Sequence, residues 1–213
     1  MELVNEQIEN YIEQHSSEEP PLLKELDVET WQKVLNPKMI SGTYQGRILS
    51  LISKIKQPET ILEIGTFTGY ATLCLAEGLA QTGYIHTIDN NEELQRIQLK
   101  YFNASPYKNQ IISHLGNALD IISGIDTKFD LVFIDADKPN YANYFHAIIN
   151  KMNKGGLILS DNVLWKGKVV EPLKKNDKDT PALMAYNKLL KEDPRIETVL
   201  LPIRDGLTIS RVK

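Results

Sequence analysis

The sequence predicts an α/β fold on a mostly parallel sheet, and three observations carry that reading. Short apolar runs at 60–64, 84–89, 110–115, 129–135 and 157–160 have the length of strands and are separated by helical stretches. Strands alternating with helices imply a parallel sheet. Gly65 and Gly69 make a turn directly after the first run and open a helix, and glycine there allows positive φ and close backbone approach to a ligand. Asp89, Asp135 and Asp161 stand at the ends of three runs, where open α/β sheets place their ligands. Two last strands, 197–202 and 207–212, flank Arg204-Asp205-Gly206. That hairpin-like Asp-Gly turn makes one strand at the end antiparallel.

The remaining elements follow in order. Residues 2–15 read as a helix with Leu3, Ile8, Tyr11 and Ile12 as apolar positions, broken by Glu18-Glu19-Pro20-Pro21. A second helical piece covers about 22–35 and ends near Pro37. Residues 1–40 thus read as a lid or packing arm on a core of 41–213, within one domain. Helices are expected over 41–56, from Gly69 to about Gln81, over 92–104, near 119–122, over 140–152 and over 180–191. Gly155-Gly156 reads as the turn before the fifth strand.

Composition sets limits. The chain has 213 residues, 42% hydrophobic and 24% charged, which fits one compact domain. No apolar run approaches the roughly 20 residues needed to span a bilayer, and the acidic opening is not expected to be a signal peptide. One cysteine, Cys74, excludes an internal disulfide and suits a reducing cytoplasm. The net charge of −4 favours no nucleic-acid partner globally.

The chemistry concentrates in Phe129-Asp-Leu-Val-Phe-Ile-Asp-Ala-Asp-Lys138. Two carboxylates and an amine at one strand tip cost stability unless something binds there. The alternative is a solvated strand-to-helix turn, with Lys138 paired to Asp137. On the other half, Asp89 lies 20 residues after Gly69, placed to accept hydrogen bonds from ribose hydroxyls. The dinucleotide fingerprint is missing its third glycine, and Phe67 obstructs a pyrophosphate at the helix N-terminus. Glu63, inside the strand before the turn, repels phosphate and attracts ammonium or hydroxyl. S-adenosylmethionine, a sulfonium with an ammonium and a ribose, fits these features.

Glu63-Ile-Gly-Thr-Phe-Thr-Gly-Tyr70, Phe133-Ile-Asp-Ala-Asp-Lys-Pro-Asn-Tyr141 and Asp161-Asn-Val-Leu-Trp165 resemble, in order and separation, the motifs of the cation-dependent O-methyltransferases. The caffeoyl-CoA branch with its bacterial members is more similar than the catechol branch. The resemblance implies a class I methyltransferase fold, Rossmann-like, with seven strands, the last antiparallel. It implies Mg²⁺, or Mn²⁺ or Ca²⁺, held by Asp135, Asp161 and Asn162. It places Glu63, Gly65, Thr66, Asp89, Asp135 and Asp137 at the methyl donor, with Ser41 and Ala118 at its edges. Lys138 is the implied base, and a homodimer the implied assembly. Two departures stand out: Ala71 replaces a frequent Ser, and Lys166 replaces the substrate-binding Asn of the plant enzymes.

The expected reaction transfers a methyl group to a catechol-like or other vicinal-dihydroxy phenol. A phenol has a pKa near 10, and a divalent cation lowers it and holds the oxygen in line. Trp165 is expected to form a wall of the acceptor pocket or to anchor its loop in the core, with Lys166 beside it. Lys166, Lys168, Lys174, Lys175 and Lys178 make a basic loop, read as solvated or as attracting an anionic acceptor. Two alternatives stay open: a tRNA hydroxyuridine methyltransferase using the same machinery, and a nicotinamide-dependent oxidoreductase.

Overall fold

A computed structural model describes residues 6–213. The expected helix over 2–15 is described from Glu6 onward as α1 (Glu6–Gln14), and Leu3 lies outside the described residues. Then follow α2 (Pro21–Lys33), α3 (Gly42–Lys56), β1 (Thr60–Ile64), α4 (Tyr70–Ala76), β2 (Tyr84–Asp89), α5 (Gln95–Ala104) and β3 (Ile111–Leu115). The second half adds α6 (Ala118–Gly124), β4 (Phe129–Ile134), α7 (Tyr141–Ile148), β5 (Met152–Asp161), α8 (Asp179–Glu192), β6 (Ile196–Leu201) and β7 (Leu207–Val212). No helix among the described residues is long and apolar enough to cross a membrane.

The seven strands run in the order β3-β2-β1-β4-β5-β7-β6, with β7 antiparallel to both its neighbours. The order reverses between β1 and β4, which pair directly in parallel. The site sits at that reversal, at the carboxyl ends of the strands. Period-two alternation splits the buried side chains between two layers. Ile61, Leu131, Phe133 and Leu159 face α2–α5, and Leu62, Val132, Ile134 and Ile158 face α6–α8. All eight are essentially without solvent exposure, and each is worth about 1.5–3 kcal/mol of transfer energy. A sheet anchored on both faces gives the strand tips a rigid base.

Several boundaries differ from the sequence expectation, three of them most clearly. Helix α4 stops at Ala76 rather than near Gln81, because Gly78 passes so close to α3 that a Cβ there would lie 2.1 Å from the Ser53 carbonyl carbon. Gly155 and Gly156 lie inside a ten-residue β5, not in a turn before it; the β4–β5 register shifts there between Phe129 and Leu131. The helix expected over 140–152 is α-helical only over Tyr141–Ile148, with 3₁₀ turns on both sides.

Candidate active site

The turn after β1 is built around a contact that only glycine allows. Gly65 has φ +103°, and a Cβ there would lie 1.9 Å from the Asp135 carbonyl oxygen. This close approach brings the Gly-rich turn against the tip of β4, where the Asp135 N–H donates to the Ile64 carbonyl at 2.9 Å. Gly65→Ala is therefore expected to cost at least about 2 kcal/mol, from left-handed strain and from displacement of the β4 tip. Thermal melting checks this; a shift under 1 °C would contradict it. Further on, Asp89 clasps the same turn: its carboxylate accepts the Phe67 N–H at 2.7 Å and the Asn91 N–H at 2.9 Å. Gln98 donates to the Phe67 carbonyl at 2.7 Å, which fixes Phe67 at φ +50°.

Glu63 shares the face of Ile61, two residues before it on β1, and so points into the α4 layer. It has no solvent exposure. One carboxyl oxygen accepts from the Thr72 and Thr87 hydroxyls; the other, Oε1, has no partner. Burial raises its pKa to about 8, against the two threonine hydrogen bonds and with Asp135 and Asp89 adding to the rise. The folded state thus keeps a proton that the unfolded chain loses near 4.5. Stability from this group is complete below 4.5 and is lost as pH rises through 8. Glu63→Gln is expected to flatten the fall in Tm of ligand-free protein between pH 6 and 8.5. An unchanged pH profile would count against the buried acid.

At the tip of β4 the chain turns back over itself. The Lys138 ammonium donates to Asp135 Oδ1 at 3.1 Å, to Asn162 Oδ1 at 2.7 Å and to the Tyr141 hydroxyl at 2.8 Å. Three acceptors match its three hydrogens. The alternative pairing with Asp137 is corrected: Asp137 accepts from Tyr144 and Asn140 instead. At the tip of β5, Asp161 is 3% exposed. Its carboxylate accepts the Asn162 N–H and the Gln45 amide, each at 2.7 Å. Burial first, and Asp135 second, push its pKa up to about 7. Asn162 takes the left-handed region, φ +57°, which turns its amide toward Lys138.

These tips line one cleft of about 2270 Å³, above the roughly 300–1,000 Å³ of a single small-molecule pocket. Two ligands fit side by side. Ten of the thirteen side chains singled out from the sequence line it. Ser41, Glu63 and Thr66 do not: they are buried behind its wall, Ser41 with its carbonyl held by Arg204 and Thr66 against the Thr87 hydroxyl. Among the described residues, six of the seven non-glycine positions with positive φ also line it, namely Asn36, Phe67, Asn162, Trp165, Lys166 and Arg204. Backbone strain concentrated in this way marks functional sites.

Trp165 stands between cleft and core. It lines the cleft, yet it also packs against the core on the α8 side, and its buried indole N–H has no partner. The Lys138 and Lys168 ammoniums lie 5.7 and 5.5 Å from its ring centre. Lys166 is exposed on the rim, and its N–H donates to the Asp205 carboxylate. The expected closing turn clasps this loop: the Leu164 N–H donates to the Asp205 carbonyl at 2.9 Å.

Sequence reasoning missed several parts of the site. Tyr141, fully buried, joins Lys138 to the Asp161 carbonyl. Gln45 and Arg204 support Asp161 from another layer. The arm supplies a wall, with Trp31, Leu35 and Met39 on the cleft and all exposed. Of these, Tyr141 and Arg204 stood within readable motifs, without their contacts being readable.

Residues 13–213 match the profile of the O-methyltransferase family. The chain belongs to that family. It is 35% identical over 208 residues to caffeoyl-CoA O-methyltransferase 1 of Eucalyptus globulus, covering 91% of this chain and 82% of that one. It is also 35% identical over 209 residues to the caffeoyl-CoA O-methyltransferase of Petroselinum crispum, covering 91% and 84%. Among solved structures, the O-methyltransferase of Bacillus cereus in complex with SAH superimposes with a TM-score of 0.89 at 27% identity, over 97% of each chain. The O-methyltransferase TomG of Streptomyces achromogenes, involved in tomaymycin synthesis and solved with SAM, gives 0.90 at 25%, over 97% and 96%. This O-methyltransferase therefore has the class I fold that its motifs imply, and the oxidoreductase alternative falls away.

Proposed function

We propose that this O-methyltransferase uses S-adenosylmethionine and a divalent cation to methylate one hydroxyl of a catechol-like, vicinal-dihydroxy phenol. One observation carries the reading: two carboxylates and an amide oxygen crowd the tips of β4 and β5, and two of them, Asp135 Oδ1 and Asn162 Oδ1, converge on a single cationic nitrogen. Asp161 beside them is pushed toward neutrality first by burial and then by Asp135, and a cation at this corner of the cleft would favour its charged form. Oxygen-only donors suit Mg²⁺, Mn²⁺ or Ca²⁺. Among the described residues, no three His, Cys, Asp or Glu side chains group as a metal cluster of their own.

Asp135, Asp161 and Asn162 would hold the cation. When bound, it supplies acidity and orientation to the acceptor hydroxyl, and the sulfonium supplies the methyl group. The chain's own residues do the rest. The Gly65 turn and Asp89 shape the donor half of the cleft. Trp165 offers an aromatic edge to the acceptor half. Lys138 Nζ, poised between Asp135 and Asn162, takes the hydroxyl proton as the neutral amine, after one of its three ammonium hydrogens has left to solvent.

A methylation screen of catechols, hydroxycinnamoyl esters and tRNA, with Mg²⁺ and with excess EDTA, tests the assignment. Turnover of catechols or hydroxycinnamoyl esters that stops in EDTA is expected. Full turnover in EDTA would defeat the cation reading, and methylation of tRNA alone would replace the acceptor.

A further inference from the structure

Asp161 is served from outside the cleft by a side chain that no motif announces. Gln45, on the first turn of α3, is 1% exposed. Its amide nitrogen donates to Asp161 Oδ2 at 2.7 Å, and its amide oxygen accepts from Arg204 Nη1 at 3.2 Å. This fixes the orientation of the amide: flipped, it would set its carbonyl against a carboxylate and its NH₂ against a guanidinium. Arg204 is held in turn by the Ile40 carbonyl, at 3.3 and 3.2 Å from its two terminal nitrogens, and by the Ser41 carbonyl. It stands in the β6–β7 turn at φ +48°. The chain of contacts runs from the entry of α3, through Arg204 and Gln45, to a carboxylate at the tip of β5.

We propose that Gln45 is the positioning residue of the cation site, setting the Asp161 carboxylate through its amide, and that Arg204 acts in series by setting Gln45. The inference rests on the proposed cation reading and extends it to two residues that do not touch the ion. Among the described residues, Gln45 is the only side-chain donor to Asp161 Oδ2, while Oδ1 is fixed by the adjacent Asn162 N–H. Both oxygens are thereby aimed before any ligand arrives. Partners that orient metal ligands in this way typically change metal affinity or activity by about 10–100-fold when removed.

The test measures Mn²⁺ binding by electron paramagnetic resonance of free Mn²⁺, without turnover, on the full chain. Gln45→Met, close in size and lacking both hydrogen bonds, is expected to weaken Mn²⁺ binding by about 10–100-fold while S-adenosylhomocysteine binding by calorimetry stays within about threefold, below that range. Arg204→Met is expected to give a smaller loss, and the double variant no more than Gln45→Met alone, the signature of groups acting in series. Ser53→Ala removes a different buried hydrogen bond of α3, to the Leu75 carbonyl, and is expected to leave Mn²⁺ binding unchanged. If Gln45→Met does not fold, Gln45→Asn takes its place: the amide is kept one methylene short, and the same loss is expected. Equal Mn²⁺ affinity in wild type and the Gln45 variant would overturn the inference alone. Fully additive losses would overturn the series arrangement. No Mn²⁺ binding by the wild type would overturn the cation reading, and the inference with it.

Discussion

Asp161→Ala is expected to lower kcat/KM by about 10³ or more and to abolish the response to Mg²⁺. A bound cation acting on an oxygen contributes several kcal/mol to the transition state, and each 1.36 kcal/mol is tenfold in rate. Asp161 is the more deeply buried of the two carboxylates at the site, so no solvent-exposed group can readily stand in for it. The same substitution has a stability signature of known sign. In the folded chain the Asp161 carboxyl is held up to about 7 by burial and Asp135, against 3.8 ordinarily. Its ionisation therefore opposes folding increasingly as pH rises from about 4 through 7. In chelator, the Tm of Asp161→Ala relative to wild type is expected to improve from pH 5 to pH 8. Melts at both pH values, beside steady-state rates across a Mg²⁺ titration, check both halves. Undiminished turnover in the variant would remove Asp161 from the reaction.

This opposition between function and stability explains which parts of the site were legible in the sequence. Asp135 and Asp161 stand where apolar strands end, and a carboxylate there is conspicuous because of the apolar run that leads up to it. The strands themselves were readable for the same reason: 60–64 and 84–89 match β1 and β2 residue for residue. Helix ends were less readable because contacts remote in sequence set them, as when Gly78 meets Ser53 on α3 and ends α4 early. The support of the site was hidden still further. Gln45 reaches Asp161 across 116 positions and Arg204 across 159 to Gln45; within its own helix, Gln45 is one more polar residue. Glu63 was visible as an anomaly inside a strand, but not its enclosure by Thr72 and Thr87. The arm carried no signal because its part in the site is a surface, the cleft wall at Trp31, Leu35 and Met39, rather than a reactive group.

The second large effect concerns Lys138, where two roles predict different outcomes. As a base, its loss removes a proton acceptor worth about 10²–10⁴ in rate. As a fixed cation, its loss strips Asp135 Oδ1 and Asn162 Oδ1 of their shared partner and leaves them more available to a metal. Lys138→Met is therefore expected to lower kcat by about 10²–10⁴ while Mn²⁺ affinity stays level or rises. Lys138→Arg separates the roles: guanidinium restores the charge but does not give up a proton near neutrality. A base requires the Arg variant to be nearly as slow as the Met variant. Recovery of most of the wild-type kcat in Lys138→Arg would instead assign the residue to electrostatic positioning. Tyr141 sharpens the comparison, because its hydroxyl also accepts from Lys138, at 2.8 Å, and donates to the Asp161 carbonyl at 3.0 Å. Whichever form of the side chain reacts, its nitrogen starts from one place, held between both strand tips.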